Sequence, residues 1–253
     1  MLYVIGATGY VGKRLVEKSN AKSIQVRLDE DLSGVDLSFL NPDDVVCFCA
    51  AVSEPTVCAK EFDYANKVNV VSTSYLIRKF IDIGCKVIFL SSDATTSNLG
   101  VYGKMKRQVD ELFCGEKNFK SLRLSYVMSK HDRYMKYLTG CATNNTTAEV
   151  FHPLCRNVIH REDVVDAVIS LSQSWDICNN TIINCGGPET VSRVDIAEVL
   201  KRKVFPDLQY TVVKPSDDFY KDRCDTISIE SPDLEIILKR KPSSLEQLIE
   251  MEF

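Results

Sequence analysis

The amino-acid sequence predicts an open α/β fold, a parallel and doubly wound sheet with a small C-terminal lobe, on three observations. Short apolar runs suited to strands buried on both faces recur along the chain. Helix-like stretches alternate with them, supplying the crossovers that parallel neighbours need. The first run, Leu2 to Ile5, leads into Gly6, Gly9 and Gly12 at the spacing G-x-x-G-x-x-G, just ahead of a helix-like stretch from Lys13 to Lys18. Glycine suits such a turn because a side chain would keep a pyrophosphate away from backbone N–H groups, whose dipoles at a helix N-terminus favour negative charge. A dinucleotide, NAD(H) or NADP(H), is therefore expected at Gly6, Thr8, Gly9, Tyr10, Val11 and Gly12. An ordinary glycine-rich turn is the competing explanation, and a weaker one at the first strand of an α/β chain.

A second strand is expected over Ser23 to Leu28, followed by a polar turn, Asp29 to Ser33, where such folds meet the adenosine ribose. Asp29 would favour the free 2′-hydroxyl of NAD and Arg27 the 2′-phosphate of NADP. Asp31 and Leu32 are placed near the adenosine. Only about fifteen residues separate this turn from the next clear strand, too few for a helix and another long strand, so an edge strand is short or missing. Asp44 to Ala50 forms the next strand, and Ala50 and Ala51 are small enough for a cofactor to lie along its end. A helix from Phe62 to Ile83 follows, and Gly84 stops it.

Lys86 to Leu90 then makes a strand ending in Ser91, Ser92 and Asp93, in the crevice where open α/β sheets bind ligands. A plain helix cap is the alternative for these three. Tyr102 and Lys106 lie four apart on one face of a helix running to about Cys114. Tyr75/Lys79, Tyr126/Lys130 and Tyr210/Lys214 share the interval, but only Tyr102 follows a hydroxyl-ended strand and opens a helix beside the cleft. Ser121 to Val127 is a further strand. Met128 to Pro153 reads as polar and irregular, Asn157 to His160 as a short strand, Asp163 to Ser172 as a helix and Thr181 to Asn184 as a last strand closed by Gly186. Ser192 caps a helix to Lys201. These elements divide into a nucleotide-binding domain, residues 1–127 with 157–187, and a smaller lobe, 128–156 with 188–253.

Composition narrows the function. At 253 residues and 45% hydrophobic the chain can bury a sizeable core, which argues against disorder. A net charge of −4 without a basic cluster argues against nucleic-acid polymers and anionic membranes as partners. No apolar run is long enough to span a bilayer and no leader pattern opens the chain, so a cytoplasmic location is expected. The ten cysteines form no C-x-x-C pair, and Cys47, Cys49, Cys85, Cys155 and Cys185 read as small core residues in a reducing compartment. His131, His152 and His160 are scattered, and no metal site is expected.

In order and spacing, Gly6-Ala-Thr-Gly-Tyr-Val-Gly12, Ala50-Ala51, Asn69, Phe89-Leu-Ser-Ser-Asp93, Tyr102-Gly-Lys-Met-Lys106, Leu122-Arg-Leu124, Val158 to Val164 and Asn184 to Pro188 resemble the extended short-chain dehydrogenase/reductases that act on nucleotide sugars, within the NAD-dependent epimerase/dehydratase superfamily. Asp31-Leu-Ser33 and the Ser-Ser-Asp signature are most similar to the dTDP-4-dehydrorhamnose reductases. The resemblance implies a Rossmann-type fold with Asn69 lining the cofactor cleft. It implies carbonyl reduction with Tyr102 as general acid, Ser92 holding the carbonyl oxygen, Lys106 on the nicotinamide ribose and Asp93 assisting proton transfer. A lysine ammonium one turn from Tyr102 is expected to lower the pKa of its phenol. Only about ten residues join Ser92 to Tyr102, fewer than usual in the family, which leaves the sugar site open or completed by a second subunit of a homodimer. The expected activity is reduction of a 4-keto (deoxy) nucleotide sugar. Epimerisation or dehydration on the same scaffold, and a non-catalytic dinucleotide-binding regulator, are the alternatives.

Overall fold

The computed structural model describes residues 1–98 and 100–253. Strand β1 (Leu2–Ile5) runs through a glycine turn into helix α1 (Tyr10–Ser19), which starts three residues earlier than the sequence suggested. Strand β2 (Lys22–Ile24) is shorter than the expected run to Leu28, and no further strand forms before β3 (Val45–Phe48) among the described residues. The expected helix over Phe62 to Ile83 is interrupted. It comprises α2 (Pro55–Lys60), α3 (Phe62–Asn66), a π-helical stretch at Lys67–Ser72 and α4 (Thr73–Ile83), closed by Gly84 at φ 99°.

Strand β4 (Lys86–Ser92) ends in a 3₁₀ turn, Asp93–Thr96, followed by α5 (Val101–Phe113) and β5 (Phe119–Leu124). The run expected to reach Val127 breaks at Ser125, and Val127 and Met128 form a separate strand, β6. Met128 to Pro153 is not irregular: it holds α6 (Arg133–Thr143), capped by Asp132, and β7 (Ala148–Phe151). The expected strand at Asn157 to His160 splits into β8 (Cys155–Asn157) and β9 (Ile159–His160), ahead of α7 (Arg161–Gln173). Strand β10 (Ile182–Cys185) is not the last, since β11 (Thr190–Ser192) follows. Helix α8 (Arg193–Lys203) opens with Ser192 and Asp195 capping each other reciprocally, as the sequence predicted for Ser192. The chain finishes with β12 (Tyr210–Val213), α9 (Asp217–Tyr220), α10 (Pro232–Leu238) and α11 (Leu245–Glu252).

Six strands form one parallel sheet in the order β10-β5-β4-β3-β1-β2, the doubly wound Rossmann-type arrangement. Alternate residues of each strand feed two cores. Val4, Cys47, Ile88 and Leu122 meet Val164 and Val168 of α7 on one face. Ile5, Phe48, Phe89 and Phe119 meet Leu76 and Phe80 of α4 and Val109 of α5 on the other. A third core gathers Met135 and Leu138 of α6, Ala148 and Val150 of β7, Leu200 of α8 and Leu248 and Ile249 of α11. Helix α10 instead returns to the sheet, where Leu234 and Ile237 join the first core. The winding direction reverses between β1 and β3, which opens a crevice at the carboxyl ends of β1, β3, β4 and β5.

Among the described residues, no helix is long and apolar enough to cross a membrane. All ten cysteines are free thiols: Cys47, Cys58, Cys85, Cys178 and Cys185 are buried, as small core residues should be, whereas Cys114 is exposed.

Candidate active site

The glycine turn is built by close approach. Gly6 sits at φ +84°, and a Cβ there would stand 2.7 Å from the backbone nitrogen of Ala50. A Cβ on Gly12 would stand 2.2 Å from the Gly6 carbonyl oxygen, so α1 can press against the turn only if Gly12 has no side chain. Gly9 donates to the Gly6 carbonyl at 3.0 Å and N-caps α1 without a side-chain cap, leaving the first N–H groups of α1 for a ligand.

Gly9, Tyr10, Val11 and Gly12 line a cavity of about 500 Å³ at the crevice. Ala51, Ser91, Ser92, Asp93, Tyr102 and Lys106 line it too. Placement of α5 depends on Gly103, where a Cβ would come within 2.4 Å of the Ala94 carbonyl oxygen; its absence lets the helix press Tyr102 towards the 3₁₀ turn. The Ser92 hydroxyl accepts from the Ala94 N–H at 3.2 Å and lies 3.3 Å from Asp93 Oδ1.

Lys106 is buried, donates to the Leu90 carbonyl at 2.8 Å and lies 4.3 Å from the centre of the Phe89 ring. Burial pulls its ammonium pKa down to about 8, against the opposing pull of Asp110. Its Nζ is 6.0 Å from the centre of the Tyr102 ring. The expected lowering of the Tyr102 pKa is not found: burial pushes the phenol up, and Cys58 and Asp93 add to the rise. A raised pKa keeps Tyr102 protonated at neutral pH, the state a proton donor needs. Asp93 also moves upward through burial, although the Ser125 hydroxyl at 2.8 Å and the Arg156 guanidinium at 3.8 Å pull the other way.

Other sequence-predicted residues lie elsewhere. Arg27 is 71% exposed and paired with Asp29 and Glu30. Asp31 and Leu32 line a smaller hollow with Lys67 and Tyr75, next to the loop after β2. Thr8 is exposed on the glycine turn, and Ala50 backs Gly6. Asn69 does not line the cleft. It is 1% exposed and clamps the Val52 backbone, accepting from its N–H at 2.8 Å and donating to its carbonyl at 2.9 Å.

The rival Tyr/Lys pairs separate by environment. Tyr75 and Lys79 share an outer helix face, and the Tyr210 hydroxyl meets Glu198. Tyr126 does reach the cavity, but its hydroxyl binds Asp132 while Lys130 binds the Glu252 carbonyl.

The sequence does not single out Arg156, which reaches the cavity from a segment without a motif, or Ser125, which directly follows the Leu122-Arg-Leu124 stretch. Arg156 is held by the carbonyls of Cys155 at 2.7 Å and Cys224 at 2.8 Å, a placement set by chain segments far apart in sequence. Cys49, read as a core residue, also lines the cavity.

A second cavity of about 560 Å³ lies under α6 and α8, lined by Arg133, Arg193, Arg223, Tyr134, Phe151 and Glu54. Arg193 is stacked between Tyr126 and Tyr134, with its guanidinium 4.2 and 3.9 Å from their ring centres. Since Tyr126 also lines the first cavity, the two are neighbours.

The sequence profile of the NAD-dependent epimerase/dehydratase family matches residues 2–137. The chain belongs to this family. Its NAD dependence accords with the helix N-terminus and glycine turn described above. Among solved structures, a UDP-glucuronic acid 4-epimerase from Bacillus cereus, in complex with UDP-glucuronic acid and NAD, is 20% identical with TM-score 0.79, over 99% of this chain and 97% of that one. A dTDP-4-dehydrorhamnose reductase from Clostridium acetobutylicum is 18% identical with TM-score 0.79, over 99% and 98% of the two chains. An ADP-L-glycero-D-manno-heptose-6-epimerase from Helicobacter pylori is 20% identical with TM-score 0.79, over 99% and 94%. At these identities the likeness is one of fold. No curated protein sequence matches the chain.

Proposed function

We propose that the protein is an NAD(P)-dependent reductase of a 4-keto (deoxy) nucleotide sugar. The observation that carries this reading is the meeting of Ser92, Tyr102, Lys106 and Asp93 in one cavity that continues along the glycine turn. The dinucleotide fits that turn because Gly6 and Gly12 leave no room for a Cβ and α1 starts with uncapped N–H groups. Gly6, Thr8, Gly9, Tyr10, Val11 and Gly12 would hold its pyrophosphate. Asp31 and Leu32 would lie by the adenosine, and Ala50, Ala51 and Ser91 along the ribose and nicotinamide. NAD(P)H supplies the hydride.

The chain's own part is to place and protonate the carbonyl. Ser92 would donate to its oxygen, Tyr102 in its neutral form would deliver the proton, and Lys106 would orient the nicotinamide ribose and offset charge developing on Tyr102. Asp93 serves as a second proton carrier. The nucleotide half of the substrate would extend into the smaller lobe, over residues 128–156 and 188–253, where the arginine-lined second cavity adjoins the first.

The Asp31-Leu32-Ser33 turn, similar to that of the dTDP-4-dehydrorhamnose reductases, favours reduction. Epimerisation or dehydration is the second reading, supported by the family profile; both return the hydride to the sugar and keep the cofactor.

Mixing the protein with 4-keto sugar nucleotides and NADH or NADPH separates the readings. A reductase consumes reduced cofactor in proportion to product. Turnover without added NAD(P)H, by protein carrying tightly held NAD, would replace it with the second reading. Tyr102→Phe should slow hydride transfer by about 10²- to 10⁴-fold with cofactor affinity nearly unchanged. Tyr75→Phe, Tyr126→Phe and Tyr210→Phe should leave the chemical step almost intact. A wild-type single-turnover rate in Tyr102→Phe would remove Tyr102 from the chemistry.

A further inference from the structure

The second cavity holds more positive charge than its partners satisfy. Arg193 Nη1 and Arg223 Nε are buried without a hydrogen-bond partner, a costly condition that a ligand with several acceptor oxygens relieves. Both guanidinium groups are also braced by aromatic rings, Arg193 as described and Arg223 with its guanidinium 4.3 Å from the centre of the Phe219 ring. Two carboxylates line the cavity, Glu54 and Glu149, and Glu54 is the one that lies within ion-pair distance of its arginines. Glu54, in the loop after β3, has Oε2 3.7 Å from Arg133 Nη1 and Oε1 3.8 Å from Arg223 Nη2, while Arg223 Nη2 also donates to Thr56 Oγ1 at 3.3 Å.

Glu54 therefore links the sheet side of the cavity to α6 and to the segment after α9, with one carboxylate oxygen directed to each arginine. Two contacts of 3.7 and 3.8 Å are long for charge-assisted hydrogen bonds, and Glu54 is 47% exposed, so the contact is weak enough to be displaced. A diphosphate presents the same kind of anionic oxygens with more charge and more acceptors.

We propose that Glu54 is a resident anion of this cavity, holding Arg133 and Arg223 until the diphosphate of a nucleotide substrate displaces it. This rests on the reading that the nucleotide half of the substrate enters the second cavity. Glu54 then acts as a threshold: a ligand lacking the diphosphate leaves it in place, whereas a diphosphate must displace it to reach the arginines. It lowers diphosphate affinity and in return keeps Arg223 directed into the cavity. Each such exposed pair shifts an equilibrium by up to about fivefold, so removing both should tighten diphosphate binding by about 3- to 20-fold.

Calorimetric titration of UDP and dTDP, with uridine and thymidine as phosphate-free probes, tests this on the full-length protein. Glu54→Gln keeps the shape of an exposed side chain and removes its charge. It should bind the diphosphates about 3- to 20-fold more tightly, leave the nucleosides unchanged, and lose most of that gain in the Arg223→Met background. A merely general charge effect would persist there additively, and that result overturns the proposal. Equal diphosphate affinity in Glu54→Gln and wild type overturns the role of Glu54 while leaving the substrate reading in place. Failure of either diphosphate to bind wild type, Glu54→Gln or both in a manner sensitive to Arg193→Met overturns the substrate reading as well. Circular dichroism melting curves that match wild type exclude misfolding of the variants.

Discussion

Lys106 carries an ammonium into a nearly dry position, with one carbonyl and two aromatic rings for company. Water would solvate the charge far better, and burial accordingly draws its pKa down to about 8. The sign for function follows. The charged form predominates below about pH 8, so a step that needs the ammonium should decline as pH rises through that value. Tyr102 cannot produce this decline, because its own pKa is raised from the ordinary phenol value. Single-turnover hydride transfer should therefore show an alkaline fall centred near pH 8. Lys106→Arg should be slower at neutral pH yet lose that fall, since a guanidinium stays charged throughout. A fall that survives in Lys106→Arg would assign it to another group.

At the level of elements, local spacing determines what is legible in the sequence. Residues within a few positions of a motif were placed correctly: the strand at Leu2, the turn at Gly6 to Gly12, the hydroxyls ending β4 and the Tyr102 to Lys106 helix face all arise from local spacing. Counting the residues left before the next strand foresaw that no strand forms between β2 and β3 among the described residues, but not that β2 itself has only three residues. Arg156 carried no local signal, because distant segments deliver it to the cavity. Val127 and Met128 continue the apolar character of β5 but leave its sheet, a tertiary choice that composition does not encode.

Asn69 is the instructive miss. The family resemblance suggests a cleft residue, but the π-helical stretch buries it and its amide serves both backbone groups of Val52. An asparagine offers a donor and an acceptor at once, which matches one exposed peptide edge. Removing it should leave the Val52 N–H and carbonyl without protein partners. Asn69→Ala is expected to cost about 1–3 kcal/mol per buried group left unpaired. On a chain of this size each kcal/mol lowers the melting temperature by roughly 2–4 °C. Calorimetric melting checks this, and an unchanged melting temperature would return Asn69 to the cleft.

At the scale of the whole molecule, the cores must be joined so that the cavities they flank stay aligned, and the C-terminal helix α11 ties the third core to the first. Leu248 and Ile249 bury α11 in the third core. Glu252, near its end, accepts from the Lys130 N–H at 3.1 Å and pairs with His160 Nε2 at 2.7 Å, with both side chains buried. His160 immediately precedes α7, whose Val164 and Val168 belong to the first core. From Lys130 the chain of contacts continues through its neighbour Ser129, which accepts from the Tyr10 hydroxyl at 2.5 Å, to the first residue of α1. Glu252 thus ties α11 to α7 through His160, and towards the glycine turn through residues 129–130.

His160 Nδ1 is buried without a hydrogen-bond partner, so the ring depends on its Nε2 contact. Glu252→Ala should cost about 1.5–3 kcal/mol through the loss of a charge-assisted hydrogen bond. The melting temperature should fall by roughly 2–4 °C for each kcal/mol. Hydrogen exchange would locate the effect: amides of α11, of residues 129–130 and of the start of α1 should lose protection together, with a matching weakening of NAD affinity. Loss confined to α11 would show that the C-terminal helix does not support the cofactor turn.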